Sequence, residues 1–181
     1  MKIPINKIEE VTGKKVRKNY TVLGADIASR TGICLMKSDK ENVYLKYQYV
    51  EFDKTTPKAK YKSMVNTFED IINSDIDKAI IEDTHLKFFK NPVTKKLQPQ
   101  VSVLKQLTRY GAYAISRCIR ESVTYEIIGA TKSRANFNIK TKKGGAKQSI
   151  ALWLKDKLDI DLNGDNDCSD AIILALNGII K

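Results

Sequence analysis

Apolar positions along the chain repeat first at one spacing and then at another. The run "YTVLGADIA" (20–28) is rich in β-formers, and "GICLMK" (32–37) follows at a hairpin-like distance. In "VYLKYQYVEF" (43–52), Val43, Leu45 and Tyr47 alternate with polar neighbours, which predicts a third strand. The period then changes. Over 58–74, Tyr61, Met64, Val65, Phe68, Ile71 and Ile72 form one helical stripe opened by Pro57. "KAIIED" (78–83) reads as a short buried strand, and the basic "THLKFFKNPVTKKLQP" (84–99) as a loop. A long helix is predicted over 100–121, with Val103, Leu104, Leu107, Tyr110, Ala114 and Ile115 on one face, and then a strand in "VTYEIIG" (123–129). Two last helices, about 146–158 and 168–180, flank an acidic loop. The order β-β-β-α-β-α-β-α-α predicts an α/β fold. Its mixed five-stranded sheet opens with an antiparallel meander and carries helices on both faces. A lysine-rich arm (1–19) precedes one domain (20–181).

Composition adds a partner. The chain has 181 residues, 42% of them hydrophobic and 8% aromatic, enough for one proper core. With 32 Lys+Arg against 21 Asp+Glu the net charge is +11, which points to a polyanion, most commonly nucleic acid. Cys34, Cys118 and Cys168 are widely separated with no CxxC spacing, and only one histidine is present, so a structural zinc site is not expected. Unpaired thiols, no long apolar run and a polar N-terminus give the expectation of a cytoplasmic protein with no membrane association, in a bacterial or an infected host cell.

Against that positive background the acids stand out. Asp26 lies in the first strand and Glu82 ends the fourth. If those strands are neighbours, the two carboxylates face each other, which is costly unless a cation lies between them. Asp167 and Asp170, three apart at the start of the last helix, share a face. Four hard oxygen ligands suit Mg²⁺ or Mn²⁺. Two such ions about 4 Å apart activate a water and stabilise the leaving oxygen in phosphodiester hydrolysis. Each acid alone has a plainer reading: a strand-end carboxylate is commonly just solvated, and Asp167 could cap the helix.

Taken together, the motifs resemble a known family. "VLGADIASRTGICL" is similar to the opening strand and hairpin of RuvC-type Holliday junction resolvases, within the RNase H-like superfamily. "AIIED" resembles the second motif, and "DNDCSDAIILAL" the closing acid-x-x-acid helix. The likeness spans roughly residues 20–180 and suits a phage or viral member. It implies a structure-selective endonuclease, commonly dimeric, that cuts four-way DNA junctions with two Mg²⁺ or Mn²⁺ ions held by Asp26, Glu82, Asp167 and Asp170. It also implies phosphate-binding cations at Lys132 in "GATKSRA" and Lys147 in "GGAKQSI", the latter assisting catalysis. Phe88 and Phe89, set among Lys87 and Lys90, would meet bases at an open junction, and Arg30 in the first hairpin would meet the backbone. His85 could assist proton transfer or be a plain loop residue. A two-fold symmetric junction calls for two active sites, hence a homodimer. The arm and the insert "ANFNIKTKKGG" (135–145) depart from the family pattern.

Other readings compete. Asp159, Asp161, Asn163, Gly164, Asp165, Asp167 and Asp170 fall at the offsets of an EF-hand calcium loop. Against this, Asn166 stands where an apolar residue belongs, Asp170 stands where a bidentate Glu belongs, and no second loop exists. An actin-like ATPase would need a second phosphate loop and a longer chain. A nuclease acting on RNA–DNA hybrid or other branched DNA, and a non-catalytic nucleic-acid-binding module, stay open.

Overall fold

The computed structural model describes residues 1–28, 30–52, 55–84, 88–90, 97–141, 145–164 and 166–181, without the side chains of 88–90, 97, 99 and 167. Three strands, β2 (Thr21–Asp26), β3 (Arg30–Ser38) and β4 (Asn42–Glu51), form the expected antiparallel meander. β5 (Lys78–Glu82) then pairs parallel to β2, and β8 (Thr124–Ile128) parallel to β5. The sheet has six strands rather than five. The sixth is β1 (Lys2–Pro4), which pairs antiparallel to β4 at the far edge. Three residues are too short a run to show a period, so the arm concealed it. Helix α1 (Ile5–Thr12) follows, with Ile5 and Ile8 buried, and Val16 bridges to Ile180. The basic stretch 84–99 carries a separate short hairpin, β6 (Phe88–Lys90) with β7 (Leu97–Pro99).

Helices α2 (Pro57–Ile71) and α3 (Val101–Arg120) cover one face; α4 (Ala130–Ala135), α5 (Ala146–Leu158) and α6 (Ser169–Ile179) belong with α1 on the other. The period-2 rule sorts the strands between them. Val22 of β2 and Ile80 of β5 join the core under α5 and α6, while Leu23, Ala25, Ala79 and Ile81 join Met64, Phe68, Leu107 and Tyr110 under α2 and α3. Asp26 and Glu82 share the parity of Val22 and Ile80. They therefore belong to the α6 face.

Helix α6 is almost wholly buried and lies unusually close to the sheet. A Cβ placed on Gly24 would stand 2.2 Å from the carbonyl oxygen of Ala171 and 2.5 Å from the amide nitrogen of Ala175. One on Gly178 would meet Val22 Cγ1 at 2.5 Å. Both are close-approach glycines, needed for want of space and not for their dihedral angles. Gly24→Ala should destabilise the protein by roughly 3 kcal/mol, because the obstructing atoms are helix backbone and cannot rotate away. A thermal melt within a degree or so of the parent would refute the close approach.

Candidate active site

Pairing between β2 and β5 runs to Ala25–Ile81, and the next residue on each strand is Asp26 and Glu82. The two carboxylates thus stand side by side on adjacent parallel strands, at the edge where both strands end. Asp170, in the first turn of α6, is brought to the same place by the Gly24 contact. Asp26 and Asp170 are only 6% and 5% exposed.

Such crowding has an electrostatic signature. Burial, then the charge of Asp26 and a hydrogen bond shared with it, then the charge of Asp170 push the Glu82 carboxyl up to about 9. Arg134 acts in the opposite sense. Its Nε and Nη2 both donate to Asp170 Oδ1, at 2.9 and 2.7 Å. The sequence reading missed this residue. The signal was present but depended on an unrecognised element. In a helix, positions two apart point to nearly opposite sides, so once 130–135 is helical, Lys132 and Arg134 diverge. Lys132 is exposed and Arg134 is turned onto the acids. Asn177 fixes that arrangement: its Nδ2 donates to Ser133 O and Oγ and to Ile173 O, tying α4 to α6.

Asp167 lies in a 3-10 turn (Asn166–Cys168) just before α6; its side chain is outside the described residues. Lys147, in the first turn of α5, lines a cavity of about 450 Å³ with Gly145, Ala146, Gln148 and Asn166, next to the turn that carries Asp167. Arg30 begins β3 at the same edge of the sheet, paired with Glu51 at 3.0 Å and lying over the Tyr49 ring at 3.9 Å. Phe88, Phe89 and Lys90 form β6, with side chains outside the described residues, as are Lys87 and His85 altogether.

The calcium-loop alternative loses its first ligands. Asp159 ends α5 in the left-handed conformation and is engaged by Lys7, and Asp161 is engaged by Lys155 at 2.7 Å. Ile160 and Leu162, which alternate with them along the chain, are buried. This is a packed connection whose carboxylates turn outward.

Do the remaining acids fit a metal? Among the described residues, no group of three or more His, Cys, Asp or Glu side chains stands at metal-holding distances. The chemistry of the set nonetheless fits a hard divalent cation. Three buried or half-buried carboxylates face one guanidinium, and burial together with the surplus negative charge raises the Glu82 carboxyl. Asp26, Glu82, Asp170 and, by its position, Asp167 would hold it.

The five central strands run third, second, first, fourth, fifth across the sheet, with the second antiparallel to the rest. With acids at the ends of the first and fourth strands and on the last helix, this is an RNase H-like fold of the RuvC type. Solved structures make the comparison specific. A Thermus thermophilus RuvC structure aligns over 89% of this chain and 98% of its own, with a TM-score of 0.61 and 14% identity. T. thermophilus RuvC in complex with a Holliday junction substrate gives 0.62 over the same shares at 13% identity. The yeast mitochondrial Holliday junction resolvase Ydc2 gives 0.54, covering 95% of this chain and 82% of its own at 8% identity. At such identities the likeness is one of fold. No protein-family model matches the chain, and no curated protein matches it.

Proposed function

We propose that this protein is a structure-selective DNA endonuclease that cuts four-way junctions, with Mg²⁺ or Mn²⁺ held by Asp26, Glu82, Asp167 and Asp170. The observation that carries the reading is the convergence of Asp26, Glu82 and Asp170 at one edge of a RuvC-type sheet, in a chain of net charge +11. The likeness to a RuvC solved with a Holliday junction substrate supports branched DNA as the partner.

Within this reading the side chains divide the work. Bound divalent ions supply a nucleophilic water and charge stabilisation at the leaving oxygen. Arg134 holds one oxygen of Asp170 in place and offsets part of the acid charge. Lys147, beside the closing motif, and the exposed Lys132 attract the phosphodiester. Phe88 and Phe89, on the hairpin that leads into α3, would meet unstacked bases. A homodimer is supported by surface character: β8 is the sheet edge and exposes Tyr125 and Ile127, and α3, packed beside it, exposes Ile119.

The test is a comparison of substrates. Mobility-shift titrations should show a four-way junction bound in preference to linear duplex at moderate salt, and Mg²⁺ should then give paired, symmetric nicks in the junction. Equal affinity at every salt concentration, or cleavage of RNA–DNA hybrid alone, would overturn the resolvase assignment.

A further inference from the structure

The acid cluster raises a difficulty for any DNA-cutting enzyme. Three carboxylates against one guanidinium repel phosphate, so attraction for the strand must come from cations nearby. Most basic side chains with a described partner are already matched to carboxylates: Lys7 with Asp159, Lys15 with Glu9, Lys78 with Glu126, Lys155 with Asp161, Arg117 with Glu121. One groove departs from this pattern. It lies between α2 and α3, with a volume of about 1060 Å³, and Lys58, Lys60, Lys105 and Arg109 line it without any Asp or Glu among the lining residues. Tyr61 and Tyr113 meet edge-on within it, ring centroids 6.4 Å apart. Glu69, the carboxylate just beyond, already accepts from Tyr113 at 2.9 Å and lies 3.6 Å from Arg120.

Topology puts this groove at the right edge of the sheet. β2 and β4 are both antiparallel to β3, so β4 ends where β2 ends, and α2 starts six residues after Glu51. β5 also ends there, and the chain passes through the β6–β7 hairpin straight into α3. Both helices therefore begin at the edge that carries Asp26 and Glu82 and run away from it. The four cations lie in their first halves, at Lys58 and Lys60 on α2 and at Lys105 and Arg109 on α3. Ala112 lines both this groove and a smaller cavity of about 210 Å³ that reaches Glu82.

We infer that the α2/α3 groove is a backbone track for the duplex DNA flanking the cut, holding phosphates of one arm as it leaves the acid site. Lys58, Lys60, Lys105 and Arg109 contact the phosphates, and the Tyr61 hydroxyl adds a donor. The inference rests on the nuclease reading and adds to it where the substrate's length is felt.

Arm length and charge placement test it. In the Asp26→Asn background, without divalent ions, junctions with long and with short arms are titrated across a salt series. Lys58, Lys105 and Arg109 are exposed, so the triple variant Lys58→Gln/Lys105→Gln/Arg109→Gln keeps the fold. A control triple, Lys14→Gln/Lys37→Gln/Lys157→Gln, removes the same charge elsewhere on the surface. The groove triple should weaken long-arm binding by about tenfold or more and lower the slope of log K against log salt by about 2–3, as expected for three lost phosphate contacts. It should also abolish the advantage of long arms over short. The control should keep that advantage and change the slope by less than about one. A groove triple that matches the control overturns the track while leaving the nuclease reading intact. A parent that binds no junction of either kind overturns both.

Discussion

Asp26→Asn should lower Mg²⁺-dependent cleavage by about a thousandfold, close to 4 kcal/mol of transition-state stabilisation, and at the same time make the metal-free protein more stable. The two effects have one cause. Asp26 is buried beside Glu82, and burial together with the Asp26 charge raises the Glu82 carboxyl. The amide keeps the shape of the carboxylate but removes its charge, so the donor set is depleted while the repulsion between the buried carboxylates is relieved. Thermal melts without divalent ions should rise by a few degrees. Junction affinity in the same buffer should stay within about threefold, because the basic surface that dominates phosphate binding is untouched. Asp170→Asn should behave differently. It leaves Arg134, which is largely buried, without its carboxylate, so activity and stability should fall together. Cleavage by Asp26→Asn within tenfold of the parent would remove Asp26 from the site.

The contrast between those two aspartates shows what could be read from the sequence and what could not. The meander, the two parallel additions and the long helices were legible because their apolar periods are long enough to distinguish 2 from 3.6. The adjacency of Asp26 and Glu82 followed from strand order alone, since two hairpins send the third strand to the edge and leave the first free to pair with the fourth. Three features were hidden. β1 is three residues long. Helix α4 is six residues long in a polar stretch, and without it nothing separates Arg134 from Lys132. The α2/α3 groove depends on two helix starts meeting at one edge, which no local window contains. The acidic loop was ambiguous for another reason: its spacing fits a calcium loop, and only the burial of Ile160 and Leu162 turns Asp159 and Asp161 outward.

Stability of the metal-free protein should fall as pH rises from about 5.5 to 8.5, and Mg²⁺ should oppose the fall. Glu82 sits among Asp26, Asp170 and Arg134, and its folded-state pKa, about 9, lies above the ordinary carboxyl value of 4.5. The folded state therefore holds this proton more tightly than the unfolded chain does. Its contribution is fully present below about 4.5 and is lost as pH climbs through the folded value. The carboxylates Glu9, Asp39 and Asp161 are shifted the other way by lysine and backbone donors, so their contributions disappear only in acid, below this window. The comparison is therefore between the parent and Glu82→Gln, which share every other titratable group. Melts of the parent should drop by several degrees across the window, and those of Glu82→Gln should drop by clearly less. Mg²⁺ binds the ionised site, so it should raise the parent's melting temperature more at pH 8.5 than at pH 5.5, and should do little for Glu82→Gln. Parallel pH profiles for the two proteins would show that Glu82 is already ionised without metal, and the crowding of acids at the strand ends would then have no energetic consequence.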